Sequence, residues 1–178
     1  MKRDKDATVQ AHQAPRPFRI VIAATVAILL TGCSGGNVFR PTITQQHASD
    51  RVEQILQDTA NSITPRPHLE LYKPGSYVDG CLVDPSDTAD TRVQVTRAYF
   101  LRGVRDANAS IGEQVLGLWK RRGFSISDTP GIGTTEPNIH AVTQDDFLLE
   151  LAWTGSGDLS IGATSPCLWP DGTPPPGH

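Results

Sequence analysis

Residues 138–164 read NIHAVTQDDFLLELAWTGSGDLSIGAT, and this stretch decides the fold. Within FLLELAW, Phe147, Leu149, Leu151 and Trp153 recur at every second position, the period that puts side chains on one side of a strand. NIHAVT before it and LSIGAT after it read as two further strands. Gln144-Asp145-Asp146 and Gly155-Ser156-Gly157-Asp158 turn the chain between them, with residue types that favour turn geometry. Connections this short cannot make a crossover, so the strands are expected to pair antiparallel as a meander.

Upstream, Phe124 and Ile126 begin another strand, and DTPGIGTTEP (128–137) is a loop of chain breakers. SIGEQVLGLWKRRG (110–123) carries helix grammar at both ends. Ser110 and Glu113 have capping-box spacing, and Ile111, Val115, Leu118 and Trp119 form one stripe. Gly123 sits where a C-terminal cap belongs, after Lys120, Arg121 and Arg122, whose charge offsets the helix dipole. TRVQVTRAYFL (91–101) alternates as a strand with Val93, Val95, Tyr99 and Leu101 on one face, interrupted by Arg97. HLELYKPGSYVDGCLVDPSD (68–87) is broken by Pro74-Gly75 and Asp84-Pro85 into short strands joined by turns. DRVEQILQDTANSI (50–63) reads as a first helix, with Asp50 and Glu53 at capping-box spacing and Val52, Ile55, Leu56, Thr59 and Ile63 on one face. Thr64-Pro65-Arg66-Pro67 stops it.

Two helices interleaved with short strands imply an α+β fold: an antiparallel sheet of about five strands with two helices packed on one face. The single domain is expected over residues 47–169, with a disordered, Pro-rich tail over 170–178. No internal repeat is visible.

The amino-terminal segment has a different character. The first nineteen residues hold Lys2, Arg3, Lys5, Arg16 and Arg19 against Asp4 and Asp6, and the uncharged run Ile20 to Leu30 follows. A positive region, a short apolar run and small residues after it describe an export signal. Eleven helical residues rise about 16 Å against roughly 30 Å of hydrocarbon, so the alternative, an uncleaved spanning anchor, requires flanking residues to complete it. Leu30-Thr31-Gly32-Cys33, which ends the run, resembles the lipobox of bacterial lipoproteins. That resemblance implies transfer of diacylglycerol to the Cys33 thiol and cleavage after Gly32, so residues 1–32 are a lipoprotein signal peptide. The chain is then anchored by lipid at the outer face of the cell membrane. Residues 33–46, polar and Gly-containing, form a flexible tether that reaches at most about 45 Å.

Without residues 1–32, the 16 basic and 19 acidic residues fall to 11 and 17, a net charge of −6. That balance argues against nucleic acid as a partner, which requires a clustered positive footprint. With Cys33 assigned to lipid, Cys81 and Cys167 remain as an even pair in an oxidising setting, and a disulfide is the default expectation. Two free thiols are the alternative. Neither cysteine has a histidine nearby to activate it.

Leu30-Thr31-Gly32-Cys33, the helix exit WKRRGF (119–124), the hairpin AVTQDDFLLEL (141–151) and the ending SPCLWP (165–170) together resemble the small, lipid-anchored α+β domains of actinobacterial cell envelopes. The resemblance implies an anchor and a fold, and it transfers no catalytic residue.

Asp84, Asp87 and Asp90 in DPSDTAD lack the alternate spacing, central Gly and terminal Glu of a calcium loop, and read as a solvated turn. Asp145-Asp146 falls at a hairpin corner. His47, His68, His140 and His178 are scattered, with no HExxH or Cys/His zinc spacing, and His140 alone lies in an expected strand. In the chain without residues 1–32, neither G-x-S-x-G nor S-x-x-K occurs, and Gly131 and Gly133 lack the setting of a phosphate loop. No catalytic residue, metal or cofactor is therefore expected. Arg97, Arg102 and Arg105 with Lys120 to Arg122 read either as a patch for anionic lipid heads or polymers, or as a solvated sheet edge plus a helix end. Trp119, Trp153 and Trp169 read as core or rim packing.

The leading expectation is a non-enzymatic envelope domain, anchored in membrane lipid through Cys33, that binds an envelope protein or cell-wall polymer. The alternatives are a small-ligand or lipid carrier with a pocket between sheet and helices, and a hydrolase with a dispersed site.

Overall fold

The computed structural model describes residues 41–81 and 90–176, all within one compact unit spanning Asn37–His178. The lipobox, the signal segment, most of the tether, Asp84, Asp87 and His178 lie outside the described residues. Chain order is α1 (Gln45–Asn61), β1 (His68–Leu71), β2 (Tyr77–Gly80), β3 (Val93–Arg102), α2 (Asn108–Arg121), β4 (Ser125–Asp128), β5 (Ile139–Val142), β6 (Leu148–Trp153) and β7 (Leu159–Thr164). The strands form one antiparallel sheet in the order β1-β3-β7-β6-β5-β4, with β2 pairing β3 beyond β1. This is the α+β architecture expected, with seven strands in place of about five. The short strands expected within 68–87 are β1 and β2, which share one edge by pairing opposite halves of the long β3.

The alternation in β6 and β7 does what its period requires. Leu149, Leu151, Leu159, Ile161 and Ala163 point to one face and are all at most 2 % exposed. Ile139 and Ala141 of β5 and Leu101 of β3 join them, and this face receives both helices. α1 contributes Val52, Ile55 and Leu56, and α2 contributes Ile111, Val115 and Trp119. Each fully buried side chain of this size adds about 1.5–3 kcal/mol relative to exposure. Trp119 and Trp169 are buried, and Trp153 packs against the core from its rim.

The helix starts differ from the capping-box reading. α1 begins five residues before Asp50, because Thr44 takes the extended N-cap conformation and accepts a hydrogen bond from His47 N at 3.2 Å. Asp50 instead accepts from Gln46 Nε2 one turn back. α2 begins at Asn108, which is 3 % exposed and donates through Nδ2 to Thr135 O and Gly157 O, tying the helix start to two loops. Ser110 therefore lies inside the helix and accepts from Gln114 Nε2. The far end follows the sequence: Gly123 has φ 74°, Gly123 N donates to Lys120 O, and Phe124 N donates to Trp119 O, which is a Schellman cap.

Cys81 and Cys167 are joined by a disulfide, with Cα atoms 5.9 Å apart. The bridge ties the end of β2 to the exit of β7. Next to it the two chain ends of the domain close on each other, which corrects both outer boundaries. Thr42 N donates to Gly172 O, Gln45 N to Pro170 O, and Trp169 N to Thr42 Oγ1 at 2.9 Å. Residues 42–46 thus belong to the folded body, where a tether was expected. Pro170 to Gly172 belong to it as well, with Gly172 buried, where a disordered tail was expected. A polar composition concealed this, because the bonds run between backbone segments far apart in sequence.

Candidate functional site

Both helices cover one face of the sheet, so the opposite face carries whatever β3, β5, β6 and β7 point away from the core. Directly paired residues share a face. The register therefore lays Tyr77, Thr96, Thr164 and Leu148 in one row across β2, β3, β7 and β6. The next row runs Ala98, Gly162, Glu150, His140 and Asp128 from β3 to β4. A third row holds Phe100 and Ser160.

The small residues Ala98 and Gly162 lie at the centre of this face, and a trough of about 360 Å³ forms over them. On the β3 side the segment between β1 and β2 lies down against the sheet. Tyr72 N donates to Ala98 O, and Ser76 Oγ accepts from Ala98 N at 3.0 Å. Gly75 makes this approach possible, since a Cβ there would fall 2.7 Å from the Tyr72 ring and 3.1 Å from Ala98. Tyr72 packs on Phe100 with ring centroids 4.8 Å apart, closing one end of the trough. Its rims carry large, exposed apolar side chains: Tyr77 at 51 % and Leu148 at 52 %.

The second wall is charged. His140 Nδ1 lies 2.6 Å from Asp128 Oδ1, and His140 Nε2 lies 3.4 Å from Glu150 Oε1. The hydrogen bond to Asp128, reinforced by Glu150, raises the imidazole pKa above its ordinary value against the opposing effect of burial. With a carboxylate at each nitrogen, the ring is held in place and its protonated form is favoured. It has no free nitrogen to accept a proton as a general base.

The other expected features separate in space. Arg102 pairs with Glu70 at 3.0 Å and with Asp158, and Arg105 reaches Asp158 at 3.3 Å. Arg97 lies on the opposite face of β3 from Arg102, and its Nε is buried with no hydrogen-bond partner. Lys120 and Arg121 end α2, and Arg122 approaches Asp58 at 3.9 Å. The six cations therefore do not form one patch. Asp145 accepts a hydrogen bond from Arg51, whose guanidinium holds this carboxyl below its ordinary range despite burial. Asp90 is paired with Arg92 at 2.6 Å. His47 and His68 are exposed and apart from each other and from His140.

The space between sheet and helices, where a carrier pocket was considered, is occupied by Trp119, Phe147, Leu56, Leu151 and their neighbours, each under 2 % exposed. A second cleft of about 440 Å³ is open to the surface beside the disulfide, floored by Ile43, Phe147 and Leu168. Among the described residues no group of three or more His, Cys, Asp or Glu could hold a metal ion, and no helix is long and apolar enough to cross a membrane.

Sequence reading placed His140 in a strand but not between two carboxylates. Glu150 was within reach, because positions 140 and 150 are symmetric about the 143–147 turn. Asp128 was not, because the register of β4 against β5 shifts between Ile126 and Asp128. No protein-family model, curated protein or solved structure matches the chain.

Proposed function

We infer that this chain is a lipid-anchored domain of a bacterial cell envelope, held through Cys33 at the outer face of the membrane, that binds another envelope component without chemistry. The binding surface in this reading is the helix-free face of the sheet. One observation carries it: large apolar side chains, Tyr77, Leu148 and Tyr72, stand exposed around a trough on that face, while the interior is filled. The anchor rests on the lipobox resemblance of Leu30 to Cys33 after the apolar run Ile20 to Leu30. A binding role is favoured over hydrolysis because both nitrogens of His140, the histidine at the trough, are engaged by carboxylates.

The test is capture from an envelope extract by the full chain and by Gly162→Leu. A Cβ at Gly162 meets only Ala98 Cβ and Arg97 O, both at 3.7 Å, so leucine fills the trough without a backbone clash. A component retained by the native chain and lost by Gly162→Leu is the expected result. Equal retention by both contradicts the assignment of this face.

A further inference from the structure

Resting on that reading of the sheet face, the trough's shape and polar groups narrow the class of ligand. The backbones of β3, β7 and β6 are each paired on both sides, so the floor offers no main-chain donors or acceptors to an added strand. Recognition must come from side chains. Tyr77 and Leu148 sit three strand spacings apart, about 14 Å between backbones, and their side chains narrow that gap. From the Thr96–Thr164 pair to the Phe100–Ser160 pair is four residues, about 13 Å. Phe100 and Tyr72 block the far end. A slot of this length with one end closed takes the end of a chain, one or two rings, and does not let a polymer run through.

Its chemistry is two-sided. One long wall presents the exposed face of Tyr77, and the opposite wall presents Glu150, fixed by His140. The floor between them carries the hydroxyls of Thr96, Thr164 and Ser160, with the two threonine oxygens 3.1 Å apart. Two carboxylates, Asp128 and Glu150, flank the single His140 ring, and this excess of acidic groups disfavours an anionic ligand. The His140 ring engages one oxygen of each carboxylate, so the second oxygens remain as positioned acceptors on side chains more than half exposed. A molecule with an apolar ring face and hydroxyl donors at the ring edge satisfies both walls at once. We propose that the trough binds the terminal one or two rings of an uncharged oligosaccharide, with a sugar face against Tyr77 and ring hydroxyls donating to Glu150.

The experiment is calorimetric titration of the full chain, held in a polyoxyethylene detergent so that no sugar headgroup competes. Maltotetraose, cellotetraose and the tetramer of N-acetylglucosamine are the neutral probes; tetragalacturonate and tetralysine are the charged ones. Binding of at least one neutral probe is expected, absent for tetragalacturonate, and weakened up to about tenfold in Tyr77→Ala and in Gly162→Leu. Tyr77→Ala is an exposed truncation, so it keeps the test decisive even where Gly162→Leu alters folding. The proposal is overturned by no heat with any neutral probe, by unchanged affinity in both variants, or by tetralysine binding in place of the sugars. Where sugars fail but capture from the envelope extract still depends on Gly162, the carbohydrate falls and the binding face stands. Where capture is independent of Gly162 as well, both fall.

Discussion

Trp119 Nε1 donates to Thr59 Oγ1 at 3.3 Å across the interface of the two helices, and neither residue is exposed. The same hydroxyl donates to Ile55 O at 2.8 Å, so one side chain satisfies the indole of α2 and closes back on its own helix. Thr59→Val keeps the volume and leaves the buried N–H without an acceptor. The expected loss is about 1–3 kcal/mol, read as a lower denaturant midpoint at unchanged slope. An unchanged midpoint would show that the indole finds another acceptor.

The disulfide closes a loop of 86 positions and joins the end of β2 to the strap that pairs with Thr42 and Gln45. In the chain-entropy model, loss of this bridge costs about 4.5 kcal/mol. A double Cys81→Ala, Cys167→Ala variant is expected to lose several kcal/mol of unfolding free energy. A loss below about 1 kcal/mol would mean that the backbone bonds of the strap hold the two ends without it.

His140 gives the trough a pH dependence of defined sign. Asp128 on β4 and Glu150 on β6 raise its pKa above the ordinary 6.5, so folding favours the protonated ring. The resulting stability is fully present below about pH 6.5 and is lost as pH rises through the higher folded-state value. The native chain is expected to exceed His140→Gln in stability at about pH 6, with the difference gone by about pH 9. An NMR titration of the His140 ring should show a midpoint above 6.5. A midpoint at or below it contradicts the bridging geometry.

The meander and both helices were legible because burial imposes periods on the sequence. Phe147, Leu149 and Leu151 alternate, and Ile111, Val115 and Trp119 recur at the helical period; all six are buried. The pairing of Cys81 with Cys167 followed from counting thiols. The helix starts were less legible, since Thr44 and Asn108 act through local geometry and loop contacts that spacing rules do not contain. The trough was illegible for a different reason. It depends on where small residues fall side by side on neighbouring strands, and Ala98 meets Gly162 only through a register joining positions 64 residues apart. Arg97 interrupts the apolar series of its strand in sequence, yet β3 runs through it unbroken, and its buried Nε has no hydrogen-bond partner among the described residues.

The anchored reading turns on one sulfur. The most direct measurement is the intact mass of the chain recovered from membranes, beside a Cys33→Ala variant. The native protein is expected to lack residues 1–32, to carry the added mass of a diacylglyceryl group, and to sediment with the membrane; the variant is expected to show no lipid mass. A native chain whose mass matches the unmodified polypeptide would contradict the account.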